Sequence, residues 1–293
     1  MNRTAPVLAA SLCLLLGGCA ASPPVSQFPS GQAAIARMKA TFDCARGVQG
    51  ETTIDHFNDR GRLRGSMNLF ASDPERLRFD VISPFGVILA TLTADGRAFT
   101  FFDMKNKVFY EGPPDACNIG RLTQVQVPAN ALVKLLRGEA PLLVHEPQSP
   151  TIAWDGDGHY VVTVPSTHEA VERIHLKPYD EDFQRPWQEQ RVRVLHVEVS
   201  QRGYVHYKAD LLDHAPSTTM PARTDPDGID EDIPPSGPQC RVEVPRRIHV
   251  EMPNAGDDLR LRYQQAGLNP PLPEGVFTQP VPGGVRVQHV TCR

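Results

Sequence analysis

The sequence predicts a mainly β protein built on a long antiparallel meander with few helices. Three observations lead there. Short segments of alternating apolar and polar residues follow one another, separated by clusters of turn residues, which is the texture of strands and hairpins. Only two stretches show the apolar spacing of a helix. The 28 prolines among 293 residues are too many for a helical bundle, whereas 40% hydrophobic residues and a formal charge of −4 exclude a disordered chain. The length allows one large domain or two small ones. Lysines and arginines are scattered, so there is no electrostatic footprint for nucleic acid.

The chain opens with a basic start at Met1-Asn2-Arg3, an apolar stretch over 5–16 and the small residues Gly17 and Gly18 before Cys19. This reads as an export signal over 1–18. No apolar run is long enough to span a bilayer, the longest being 5–18 with Ser11 inside it. Leu16-Gly17-Gly18-Cys19 resembles the lipobox of bacterial lipoproteins, which implies that Cys19 is joined to diacylglycerol and becomes the new N-terminus. An ordinary secretory signal with a cysteine at the cleavage point is the alternative. Two or three acyl chains, at about 0.8 kcal/mol per buried CH₂, anchor a protein firmly. Ala20, not Asp, follows Cys19, and by the pattern of enteric bacteria this implies the outer membrane. Residues 19–31, with Pro23, Pro24 and Pro29, read as the lipidated terminus and a flexible tether.

Residues 33–45 place Ala34, Ile35, Met38 and Phe42 on one helical stripe. Strand-like segments follow at 52–57, 63–70, 76–81, 87–92, 98–102 and 107–110, with turns such as Ser83-Pro84-Phe85-Gly86 and Ala94-Asp95-Gly96 between them. Leu77, Phe79 and Val81 share one face while Arg76, Arg78 and Asp80 share the other, the pattern of a strand with one wet side. The second helix is 128–138, entered at Pro128 and ended by Gly138. Further strands are predicted at 151–154, 159–164, 171–176, 191–199, 204–211, 242–251 and 258–264. Residues 214–239 carry six prolines and five acidic residues and read as a solvated, acidic loop. Nothing divides 32–293, which is expected to be one domain.

Cys13 leaves with the signal and Cys19 is modified, so Cys44, Cys117, Cys240 and Cys292 remain. An even number in an oxidising compartment predicts two disulfides with three possible pairings; free buried thiols are the alternative. The favoured pairing joins Cys44 to Cys117 and Cys240 to Cys292, so that each bridge staples one half of the chain.

No constellation for chemistry stands out. Residues 154–159 look like the start of a calcium loop, but the twelfth position from Asp155 is Ser166, and a hairpin turn explains them better. The ten histidines are dispersed without the spacing of a zinc helix, and His196 and His206 fall in strands. Glu139 and Asp180 to Asp182 read as loop charges. No catalytic residue, metal or cofactor is expected, and the chain is not expected to be an enzyme. What remains is an apolar face, built from Met67, Leu69, Leu77, Phe79, Val81, Val87, Leu89, Phe99 and Phe101 and facing the leucine-rich second helix. Such an interior is either filled by side chains or left open for an apolar ligand.

The order of these elements, with Leu77-Arg78-Phe79-Asp80 running into Ser83-Pro84-Phe85-Gly86, then Leu92-Thr93-Ala94-Asp95-Gly96 and a Phe-rich strand, resembles the LolA/LolB-like family of lipoprotein carriers and receptors. Val127-Pro128 to Pro141 and the stretch from Val244-Pro245 to Val285 are similar to the family's later helix and closing strands. The resemblance implies an incompletely closed, strongly curved antiparallel β-barrel with two or three helices as lid or plug. It implies that Leu77, Phe79, Val81, Leu89, Phe99 and Phe101 line a cavity for acyl chains, with Leu132, Leu135 and Leu136 in the lid. Phe85 would touch membrane or incoming lipid, unless it folds back onto the core as an ordinary turn residue. The expected function is that of an outer-membrane lipoprotein on the periplasmic face, binding acyl chains of lipoproteins or another amphiphile. Its expected partners are the membrane, that lipid and a periplasmic carrier protein. The alternative is a structural lipoprotein with a filled interior, serving an envelope assembly through 225–232.

Overall fold

The computed structural model describes residues 21–59, 61–123 and 126–292. The segment 1–18 expected to be an export signal, and Cys19, lie outside the described residues. Among those described, the chain forms helix α1 (Gly31–Phe42), strands β1 (Gly47–Asn58), β2 (Gly61–Ser72), β3 (Arg76–Ile82), β4 (Ile88–Ala94), β5 (Phe99–Asp103) and β6 (Val108–Gly112), then helices α2 (Ala116–Thr123) and α3 (Ala129–Arg137). Strands β7 (Thr151–Trp154), β8 (Tyr160–Pro165), β9 (Ala170–Pro178), β10 (Val192–Gln201), β11 (Tyr204–Thr218), β12 (Arg241–Met252), β13 (Asp257–Leu268) and β14 (Arg286–His289) complete it. All fourteen strands join one sheet in the order β14-β6-β5-β4-β3-β2-β1-β13-β12-β11-β10-β9-β8-β7. Every ladder is antiparallel except β14 with β6. The two halves of the chain meet where β1 pairs with β13. With β14 and β7 as free edges, the sheet curves round its helices without closing, as the predicted fold class requires.

Alternation along the strands decides which side is buried. Leu77 and Phe79 of β3, Met67 and Leu69 of β2 and Leu92 of β4 point inward and are removed from water, each contributing about 1.5–3 kcal/mol. Helix α1 starts where the Ser30 hydroxyl accepts a hydrogen bond from the Ala33 N–H, and buries Ala34, Ile35, Met38 and Phe42 against β7, β8 and β10. Helix α3 lies across β12 and β1 to β3. Gly138 ends it at φ 93°, and a Cβ there would stand 2.8 Å from Cδ of Pro245, so two constraints select glycine. Helix α2 was not predicted. It is only eight residues long, too short for its apolar spacing to stand out; Ile119 is buried in the core, and the Asn118 amide and the Cys117 bridge hold the helix in place.

Four expectations need correction. The disulfides join Cys44 to Cys240 and Cys117 to Cys292, not the two cysteines of each half. The meander's turn to pair β1 with β13 brings the start of the chain beside its end, which sequence distance does not reveal. The segment read as a flexible tether is, from Ala21 onward, seated on the sheet. Ala21 exchanges hydrogen bonds with the Gly156 carbonyl and the Trp154 indole, Ser26 is bonded to Trp187 and Gln190, and Phe28 is buried against Tyr160 and Trp187. The predicted loop 214–239 begins as strand: β11 runs to Thr218, with Pro216 opposite Glu243. Finally, Glu139 and Asp182 are buried and not loop charges. Glu139 meets Arg137 and Lys134 at 2.8 Å each, and Asp182 takes three hydrogen bonds from Arg191.

Two polar hubs tie these connections down. Arg137, at the end of α3, reaches the Ala45 carbonyl and lies 2.5 Å from Asp73 in the β2–β3 turn as well as beside Glu139. Asn269, wholly buried, accepts from the N–H groups of Arg46 and Gly47 and donates to the carbonyls of Cys44 and Pro238. It therefore fastens the β13 exit to both sides of the Cys44–Cys240 bridge.

Candidate functional site

An apolar groove of about 580 Å³ lies at one end of strands β1 to β4. Its apolar lining is Ile54 from β1, Val81 and Pro84 from β3 and its turn, and Leu89 from β4, with Gly65 of β2 between them. Thr53, Asp55, Arg64, Ser66, Ile82 and Ser83 complete the wall. Two local features open it. At Gly65 the inward side of β2 carries no side chain. Between Val81 and Ile82 the pairing with β4 slips by one residue, so Leu89 has no partner on β3 and turns into the groove.

The β3–β4 turn borders this groove through Ser83 and Pro84. Gly86 donates to the Ser83 carbonyl at 3.0 Å, and the Ser83 hydroxyl accepts from the N–H groups of Phe85 and Val87. Gly86 adopts φ 79°, which a side chain would strain. The turn is thereby fixed with Phe85 held outward and 92% exposed, and Val87, Ile88 and Leu89 are exposed behind it. Contiguous exposed apolar residues beside a groove mark a contact surface for another apolar body. At the rim Asp55 is clamped by Arg62 and Arg64, and Arg62 above all holds its carboxyl well below the usual carboxylate range.

The residues predicted to hold ligand divide into two groups. Val81 and Leu89 line the groove, and Phe85 is exposed in the turn next to the lining residue Pro84. Leu77, Phe79 and Phe99 of the sheet and Leu132, Leu135 and Leu136 of α3 are fully buried together in the core behind it, with Phe101 half-buried against them. Phe85 does not fold back onto the core. Ile54, Gly65 and Pro84 were not singled out in the sequence. The signal for Gly65 was present, since an isolated glycine within a strand marks a close approach or a gap.

Comparison with solved structures places this architecture. A DUF1329 family protein from Desulfovibrio piger matches with a TM-score of 0.51 over 84% of this chain and 95% of that one, at 10% sequence identity. The likeness is one of fold. Also similar are a putative outer membrane lipoprotein-sorting protein domain from Vibrio parahaemolyticus (TM-score 0.48, 11% identity, 85% of this chain and 95% of that one) and a LolA superfamily protein from Nitrosomonas europaea (TM-score 0.47, 14% identity, 85% and 98%). No family model and no curated protein sequence matches the chain.

Proposed function

We propose that this chain is a lipid-binding lipoprotein of the cell envelope, anchored through Cys19 to the periplasmic face of the outer membrane. In this reading it takes acyl chains of lipoproteins or another amphiphile from a periplasmic carrier and passes them to the membrane, without covalent chemistry. One observation carries the reading: the apolar groove of Ile54, Gly65, Val81, Pro84 and Leu89 is bordered by the turn that exposes Phe85, the residue next to Pro84. An acyl chain entering there would be shielded from water, and the drive for transfer is the difference in apolar burial between groove and bilayer.

Leu77, Phe79, Phe99, Leu132, Leu135 and Leu136 lie deeper and would be reached by a longer chain as α3 yields. The competing reading is a scaffold that uses the exposed 225–232 tip, where Asp225 caps the N–H groups of Asp227, Ile229 and Asp230 and leaves Ile229 exposed. Native mass spectrometry of the protein purified from membranes separates the two. Co-purifying lipid is expected for the carrier; a lipid-free protein that refuses added amphiphile supports the scaffold. Phe85→Glu is expected to leave the fold intact and to reduce lipid transfer, and unchanged transfer would remove Phe85 from the account.

A further inference from the structure

The outer face of the sheet carries a row of side chains that no sequence spacing announces. The register places His175 of β9 opposite His196 of β10, His196 opposite Asp210 of β11, and Asp210 opposite His249 of β12. At one end of this row the β7–β8 turn adds Asp155 and His159. The His159 and His175 rings lie 6.4 Å apart, and those of His175 and His196 lie 5.2 Å apart. His196 Nδ1 is 2.6 Å from Asp210, and His249 Nε2 is 3.0 Å from Asp258 and 3.3 Å from Glu251. Four of the ten histidines therefore fall in one continuous strip with carboxylates between them.

We propose that Asp155, His159 and His175 bind a divalent transition-metal ion of the zinc class on the outer face of the sheet. Their ligand atoms all lie within 4.8 Å of one another. Tetrahedral coordination at 2.0–2.2 Å sets ligand atoms about 3.3 Å apart, so the side chains need to close by roughly an ångström or slightly more. Two imidazoles and one carboxylate form the donor set that favours zinc, copper or nickel over magnesium or calcium. The carboxylate is already oriented. Asp155 Oδ1 accepts from the N–H groups of Asp157 and His159, which leaves Oδ2 facing His159 Nδ1 at 3.1 Å. His159 keeps about a quarter of its side chain exposed, at 27%, so water can complete the shell.

The cluster of His249, Glu251 and Asp258 has similar proximity but only one imidazole. The first cluster also has a structural role to serve. Its turn clasps Ala21 through Gly156 and Trp154, so a bound ion would tie the β7–β8 hairpin to β9 and brace the point where the N-terminal segment docks.

Calorimetric titration of the full chain with ZnCl₂ tests the site, with circular dichroism confirming the fold of each variant. Zn²⁺ is expected to bind the unsubstituted chain, and His159→Gln and His175→Gln are each expected to weaken binding by about tenfold or more. Asp155→Asn keeps an acceptor for the turn and is expected to weaken Zn²⁺ binding as well, while His206→Gln is expected to leave it unchanged. Absence of binding in excess Zn²⁺, equal binding by His159→Gln and His175→Gln, or loss confined to His249→Gln would each overturn the proposal.

Discussion

A Cβ placed on Gly65 would stand 3.9 Å from Cγ1 of Val81 and equally far from Cγ2 of Ile54, at ordinary van der Waals distance. The groove is open at this point because β2 carries hydrogen where a side chain would fit. The backbone of Gly65 does not adopt the left-handed conformation, so other residues can occupy the position. Gly65→Leu is therefore expected to fold normally, with stability within about 1 kcal/mol of the unsubstituted chain by urea unfolding. A loss of several kcal/mol would show that the space is not available.

Asn269 makes four side-chain hydrogen bonds in a site without water access. Asn269→Ala leaves the buried Gly47 N–H, the part-buried Arg46 N–H and two carbonyls short of this partner, for a combined loss of about 2–4 kcal/mol. Chemical denaturation with the disulfides intact measures it. A change below about 1 kcal/mol would mean that water or a rearranged loop replaces the amide.

Arg137 and Glu139 form a buried pair with Asp73 at its edge. Removing the cation alone, as in Arg137→Met, leaves Glu139 with only Lys134 and is expected to cost about 3–5 kcal/mol. The double variant Arg137→Met with Glu139→Gln is expected to recover part of that loss. If the double variant is no more stable than the single one, the uncompensated carboxylate is not the source of the cost.

Burial pushes the Glu172 carboxyl up to about 8, against an ordinary value of 4.5, while the Leu143 N–H and then the Lys134 charge hold it back. The folded chain thus keeps a proton that the unfolded chain releases between these two values. Over that window stability falls as pH rises, by at most about 1.4 kcal/mol per pH unit, and it stops falling on this account above the folded value. Glu172→Gln is expected to flatten this part of the profile, so that its advantage over the unsubstituted chain grows between about pH 5 and pH 8. Parallel profiles for the two proteins would contradict the assignment.

The fold was largely legible because period-two patterns such as Leu77, Phe79 and Val81, and capping signals such as Pro128 and Gly138, act locally. What the sequence concealed depends on long-range closure. The Cys44–Cys240 bridge spans 196 residues, and Asn269 joins segments more than two hundred positions apart, because β1 pairs with β13. Glu139 and Asp182 look like surface acids until their arginines are seen to be buried with them or stacked on Tyr179. In the groove, Val81 and Leu89 belong to the apolar face read from the sequence and Phe85 was expected from the family resemblance, whereas Gly65 matters for what it lacks. The histidine row was not legible, since its members come from different strands.

The central claim is that the groove beside the Phe85 turn holds an acyl chain. Its most direct test is equilibrium binding of a fluorescent fatty acid by the unsubstituted chain and by Gly65→Leu, with unfolding curves confirming that both are native. The account predicts saturable binding by the unsubstituted chain, displaced by unlabelled fatty acid, and affinity about tenfold or more weaker once leucine fills the groove. Equal affinity in the two proteins, or no saturable binding by the unsubstituted chain, would contradict it.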